Sequence, residues 1–422
     1  MFVRFLKNKI KFAIENSPVV IVNGARQSGK STIMKMLIDE SFLSNYYTLD
    51  DIQTISNLAN FPQKTLEQMP IGSVIDEIQK QPQIFESIKL IVDNNRVNSR
   101  FVLTGSANIL LLPKLSESLT GRVQVLSLEP LSIAESLGKF VVDIWDPVEI
   151  MFANDFNKII GKIKFELIDD NKLEKLLVRG LYPELQTKES PEQWSMWQQS
   201  YLNTLIQRDV RDIMTIENLA ILPNMLRLIA YQTSGILNKA NMARDLALNA
   251  VTFARYLTAL EHIFLVKTLE PYYKNLGKRL VKAPKVYLSD TGLCCNINGL
   301  EVGSLIDDRI FFGKILENLI FCELTKNLSW SKIKVNLFYL RMQDGKEIDF
   351  ILENTKGALV GIEVKIAEAI KPGDIKSLVW LRDTSPDFIR GFVFYSGNKV
   401  FEITDKIWVV PISFLWNGEA LS

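Results

Sequence analysis

VIVNGARQSGKST, Val20 to Thr32, carries an apolar run straight into a turn bounded by Gly24 and Gly29. Residues 24–31 match G-x4-G-K-[ST], with the strand-like PVVIVN before the turn and the helix-like STIMKMLIDESF after it, the context this motif requires. The glycines let the backbone curl so that successive N–H groups from Gly24 through Ala25, Arg26, Gln27, Ser28, Gly29, Lys30, Ser31 and Thr32 face one anion. The N-terminus of the following helix adds partial positive charge. Lys30 is expected to reach the β- and γ-phosphates of ATP, and Ser31 to ligate Mg2+.

Hydrolysis needs an acidic strand end near the magnesium. Ile71-Gly72-Ser73-Val74-Ile75-Asp76-Glu77 supplies an apolar run closing on two carboxylates. Asp76 is expected to hold the metal through water and Glu77 to polarise the attacking water. A third strand, Phe101 to Asn108, ends in small polar residues, so Thr104, Ser106 or Asn108 is placed to sense the γ-phosphate. YYTLDD, Tyr46 to Asp51, reads as a further strand, with no role fixed for Asp50 and Asp51. Strand, loop and helix recur through about the first 130 residues, which predicts a doubly wound parallel α/β sheet.

The set GARQSGKST, VIDEIQKQP, FVLTGSANILLL and LTGRVQVLSLEPLSIAE resembles a widespread prokaryotic family of AAA-type ATPases, and the likeness runs on to the C-terminus. The resemblance implies a P-loop ATPase domain over residues 1–139, a helical lid or connector over 140–222, and a homo-oligomer such as a hexameric ring. It also implies an arginine near the γ-phosphate, often from a neighbouring subunit. Arg122 in LTGRV is the first candidate, with Arg208 and Arg211 in LIQRDVRD behind it. Trp194, Trp197 and Tyr201, at helical spacing in the connector, read as packing residues.

Residues 223–300 contain three helix-sized segments, PNMLRLIAYQTS, NKANMARDLAL and AVTFARYLTALEHIF, then the strand-like LVKTLEPY and APKVYLSD. Three helices and a ribbon are the order of a winged helix. Asn249, Thr252, Arg255 and Tyr256 would lie on or near the exposed face of its last helix. Between the strands, KNLGKRLVKAPK carries Lys274, Lys278, Arg279, Lys282 and Lys285 with no acid, a density that suits a wing laid against DNA phosphates. A protein-interaction module with solvated lysines fits the same run. His262 is expected to be a core or capping residue.

In residues 301–422 a helix precedes strands VNLFYLRM, EIDFILEN and ALVGIEVKI. Positions two apart on a strand share a face, so Glu363 and Lys365 point the same way and can meet Asp349 across the pair. The arrangement resembles the core of restriction-endonuclease-like folds, with Glu317 as the acid on the helix. That resemblance implies Glu317, Asp349 and Glu363 as metal ligands and Lys365 beside the nucleophile. A retired nuclease core serving as scaffold remains open.

Across 422 residues, 49 Lys and Arg balance 48 Asp and Glu, so net charge selects no partner class. Three cysteines and one histidine are too few for a disulfide framework or a tetrahedral zinc site, and a reducing cytoplasm is expected. The basic, interrupted MFVRFLKNKIKFAIENS does not read as a secretory signal, and no stretch is apolar enough to span a bilayer. The first functional expectation is an ATP-hydrolysing motor on duplex or branched DNA. The alternatives are a nucleotide-gated assembly switch and an ATP-regulated metal-dependent nuclease.

Overall fold

A computed structural model of the chain describes residues 2–108, 121–138, 145–165, 167–213, 219–273, 283–367 and 369–416. The chain divides into two compact units. The first comprises Met1–Leu131, Arg208–Thr215 and Thr258–Leu265; the second comprises Ser132–Gln207, Ile216–Leu257 and Val266–Ser422.

The first unit is built on β1 (Val19–Asn23), β2 (Tyr46–Thr48), β3 (Ser73–Asp76), β4 (Phe101–Gly105) and β5 (Val123–Ser127). They form one five-stranded sheet in the order β2-β3-β4-β1-β5, with every pair parallel. β1, β3 and β4 are buried along their whole length, as expected of central strands covered on both faces. Ile21, Ile75 and Leu103 pack with Leu58, Leu66, Phe85 and Ile88 from the helices Ile52–Asn60, Pro62–Gln68 and Ile84–Asn94. Each such fully buried side chain stabilises the fold by about 1.5–3 kcal/mol. Because the strands run parallel, their C-terminal ends gather on one edge, and that edge delivers Asn23, Asp76 and Gly105 together.

The second unit carries a mixed sheet of β8 (Val335–Arg341), β9 (Glu347–Asn354), β10 (Leu359–Lys365), β11 (Phe388–Tyr395), β12 (Phe401–Thr404) and β13 (Ile407–Pro411), in the order β12-β13-β11-β10-β9-β8. Leu378 and Leu381 of the helix Lys376–Thr384 pack with Leu359, Val393 and Val409. Phe321, on the long helix Arg309–Trp330, stacks on Tyr287 at 4.0 Å and reaches Phe350. Gly361 admits this packing, since a Cβ there would stand 2.8 Å from Leu378 Cδ2.

Helices Leu222–Tyr231, Lys239–Asp245 and Ala250–His262 precede the antiparallel ribbon β6 (Val266–Leu269) and β7 (Lys285–Leu288). The element order is the one expected of residues 223–300. The boundaries expected at 222/223 and 300/301 fall inside the second unit, and Thr258–Leu265 joins the first. Long-range ties explain the continuity. Buried Asp290 accepts from Leu181 N at 2.7 Å and caps the helix Thr291–Ile297 through Leu293 N at 3.1 Å. Glu174 accepts from Gly303 N and Leu305 N at 2.8 and 2.9 Å. Trp197 and Tyr201 stack at 4.9 Å and Trp194 is buried, as expected of packing residues. His262 is also buried, and its carbonyl accepts from Asn108 N at 2.7 Å. The three cysteines are buried free thiols. Among the described residues, no helix is long and apolar enough to cross a membrane.

Candidate active site

The turn after β1 closes on itself through Ser28 N donating to Ala25 O, and the helix Lys30–Asp39 begins at Gly29 with φ 101°. Only glycine fits at position 24: φ is 145°, and a Cβ would stand 2.2 Å from Leu128 O. Arg4 braces the turn from the N-terminal segment, its guanidinium donating to Ser28 O and Glu129 O. Arg26 pairs with Asp209 at 2.8 Å. Lys30 is buried, and its ammonium donates to Gly24 O and Ala25 O, both at 2.8 Å.

Asp76, at the end of β3, is ringed by donors. Its Oδ2 accepts from Ser31 Oγ at 3.0 Å and from the Tyr46 hydroxyl, and its Oδ1 from Glu77 N at 3.0 Å and the Thr104 hydroxyl. Burial and then the bond to Asp76 push the Tyr46 phenol well above its ordinary value, so it stays a donor. Glu77 takes a left-handed backbone, φ 57° and ψ 40°, which costs a non-glycine residue about 1–3 kcal/mol. Gln79 Nε2 donates to Glu77 Oε2, and Ser106 Oγ to the same oxygen at 3.3 Å. Glu77, Gln79, Ser106, Arg26, Arg208 and Asp209 line one cleft.

These residues fit a nucleotide and its magnesium. The turn offers an amide cradle that tolerates no Cβ at position 24, Lys30 supplies a buried cation, and Ser31 with Asp76 places hard oxygen donors side by side. Magnesium bound there would neutralise phosphate charge. Glu77, held by Gln79 and Ser106, can take a proton from water, and Lys30 can steady the phosphate oxygens.

Burial lowers the Lys30 ammonium to about 8, with Glu77 and Asp76 opposing the fall. A triphosphate favours the charged form, so binding raises this pKa, and affinity is full below pH 8. It is expected to fall by up to about tenfold per pH unit above that. Nucleotide titrations from pH 7 to 9.5 check this; an unchanged Kd across the range would contradict it.

The other expected residues stand elsewhere. Arg122 does not join Lys30, Asp76 and Glu77 of its own chain: it precedes β5, where Val19 N donates to its carbonyl, and it pairs with Asp93. Parallel strands place that entry end opposite the phosphate loop. Arg208 instead lines the cleft and is exposed, as is Arg211. Asp50 pairs with Lys80, and Asp51 caps the helix Ile52–Asn60. Arg255 is exposed, with its guanidinium 5.6 Å from the Tyr256 ring centre. Lys274, Lys278, Arg279 and Lys282 lie outside the described residues.

Lys285 corrects an expectation. Its place at the start of β7 turns it inward, 1% exposed, so it cannot lie against phosphates. Its ammonium stands 2.9 Å from Glu317 Oε1, 2.8 Å from Glu347 Oε1 and 3.7 Å from Asp349 Oδ1. Burial opposes its charge, but Glu317, Asp349 and Glu347 outweigh burial and hold its pKa above the ordinary value. Burial lifts Glu317 to about 7, with Asp349 adding to the rise and Lys285 opposing it. Asp349 Oδ2 accepts from Val364 N at 2.9 Å, and Lys365 donates to Glu363 Oε2 at 2.8 Å. β9 and β10 thus bring Asp349, Glu363 and Lys365 together as expected from their strand spacing, with a second lysine among them.

Comparison with known proteins matches three stretches of the chain. Residues 16–137 match the model of an AAA domain, and residues 170–303 and 312–415 match two models each described as a domain of unknown function. An uncharacterised protein of Mycobacterium tuberculosis (strain ATCC 25618 / H37Rv) is 26% identical over 405 residues, covering 96% of this chain and 82% of the relative. One of Haemophilus influenzae (strain ATCC 51907 / DSM 11121 / KW20 / Rd) is 24% identical over 429 residues, covering 96% of each. Among solved structures, a Walker-type ATPase of Pyrococcus abyssi matches 70% of this chain and 96% of its own, at 12% identity and a TM-score of 0.42. The RuvB Holliday junction branch migration motor of Thermotoga maritima matches 66% of this chain and 94% of its own, at 18% identity and a TM-score of 0.30. With the match over residues 16–137, the parallel sheet and the loop at its C-terminal edge, the N-terminal part of this chain is a P-loop ATPase domain of the AAA type.

Proposed function

We propose that the chain is a DNA-stimulated ATPase that works as a homo-oligomer, binding duplex or branched DNA through the helices and ribbon of residues 222–288. The observation that carries this reading is that one chain holds both a cleft fitted for ATP hydrolysis and a cation-rich sequence between two paired strands. Lys30, Ser31, Asp76 and Glu77 converge in the first unit, and within the sequence linking β6 to β7 residues 274–284 hold Lys274, Lys278, Arg279 and Lys282 without an acid. Neutralised phosphates release counterions, so binding would weaken steeply with salt. Arg255, exposed on the helix before the ribbon, adds a further cation. A ring oligomer is the assembly implied by the family resemblance.

One observation favours a second reading. Val251, on the same helix as Arg255, is 80% exposed, and a three-helix unit with a ribbon also serves as a protein-interaction module with its lysines solvated. Under that reading ATP gates assembly with a protein. ATP turnover titrated with linear and four-way-junction DNA at low salt separates the two. Stimulation that disappears when Lys274, Lys278, Arg279 and Lys282 are all changed to Ala is the expected result. Turnover indifferent to every DNA, with no binding at low salt, would overturn the DNA reading in favour of the switch.

A further inference from the structure

We infer that the acidic centre of the second unit is closed by its own lysine: the Lys285 ammonium holds the place of a divalent cation, and this centre takes no metal in the folded protein. Metal ligation by Glu317, Asp349 and Glu363 is what the endonuclease-like arrangement implies, and the side chains do not fit it. Lys285 Nζ stands within 2.9 Å of both Glu317 Oε1 and Glu347 Oε1 and 3.7 Å from Asp349 Oδ1. A magnesium or manganese ion bonded to those oxygens at about 2.0–2.2 Å would overlap the ammonium.

One oxygen of each carboxylate is engaged by a protein donor as well. Glu317 Oε1 accepts from the Tyr287 hydroxyl at 2.7 Å in addition to Lys285. Asp349 Oδ2 takes Val364 N, and Glu363 Oε2 takes Lys365. Among the described residues, no three His, Cys, Asp or Glu side chains are grouped so as to hold a metal ion.

The lysine is fixed in place. Its side chain is 2% exposed, its backbone pairs with Leu269 across the ribbon, and its ammonium lies 5.6 Å from the Tyr339 ring centre. Withdrawing it would leave three partly buried carboxylates, Glu317, Glu347 and Asp349, facing one another without that counter-charge, which is why a fixed internal cation outcompetes one from solution. The carboxylates therefore anchor the ribbon to the sheet, and the domain contributes a binding surface without metal-dependent phosphodiester cleavage.

Mn2+ titration of nucleotide-free full-length protein by calorimetry tests this, alongside Lys285→Met and the double variant Lys285→Met/Asp349→Asn. Wild type is expected to take no Mn2+ that Asp349→Asn removes and to leave plasmid DNA intact with Mn2+. Lys285→Met is expected to gain one Mn2+ site, tighter by about 10- to 100-fold than any wild-type binding, and to lose it in the double variant. A wild-type Mn2+ site or plasmid nicking abolished by Asp349→Asn would overturn the inference, even if Lys285→Met fails to fold. A folded Lys285→Met that takes no Mn2+ would overturn it too. ATP turnover of wild type, measured in parallel, reports the N-terminal site separately.

Discussion

Glu77→Gln is expected to lower ATP turnover by about 100- to 10,000-fold while leaving MgATP affinity close to wild type. Glu77 lines the cleft with a left-handed backbone, and its carboxylate is held there by Gln79 and Ser106. The amide oxygen of glutamine can still accept from Gln79 and Ser106, so the side chain keeps its position. What it loses is the capacity to take a proton from water. Single-turnover hydrolysis and a nucleotide titration on the same sample read the two effects apart. A variant that turns over normally, or one that no longer binds nucleotide, would remove Glu77 from the proposed role.

Arg208→Ala is expected to cut turnover by about 1,000-fold or more, the loss typical of an arginine that stabilises phosphoryl-transfer charge, whereas Arg122→Ala is expected to do little. Arg208 lines the cleft beside Glu77, on a π-helical turn from Leu205 to Asp209, and its neighbour Asp209 is fixed by Arg26 from the phosphate loop. Arg122 is held by Asp93 at the far end of the sheet. Because Arg208 faces its own chain's cleft, mixing Arg208→Ala with Lys30→Ala protein should restore nothing. Recovery in the mixture would mean that one subunit lends the arginine to another.

Much of this site is legible in the sequence because it is local. The turn from Gly24 to Ser31 announces itself through glycine spacing and flanking periodicity, and Asp76-Glu77 through a short apolar run that ends on carboxylates. Its braces are not legible. Arg4 reaches Glu129 across 125 residues, and Arg26 reaches Asp209 across 183, with no pattern that pairs them in advance. Tyr46 sat in a recognised strand, but only the parallel pairing of β2 with β3, which sets Thr48 beside Asp76, brings its hydroxyl to that carboxylate.

Lys285 shows the opposite failure. As the last cation of KNLGKRLVKAPK it reads as part of a solvated run, yet it also opens the strand KVYL. Positions two apart on a strand share a face, and both Lys285 and Tyr287 reach Glu317. Read as a strand-face pair, the residue belonged to the interior. The continuity of the second unit was hidden for a related reason: Asp290 to Leu181 and Glu174 to Leu305 are ties from a side-chain carboxylate to a distant backbone N–H, which leave no trace in composition.

The most direct measurement is calorimetric titration of the folded chain with MgATP, beside Lys30→Ala. One nucleotide bound per wild-type chain, with binding lost in the variant, is the predicted result. A folded wild type that takes up no nucleotide, or a Lys30→Ala protein that binds as tightly, would contradict it.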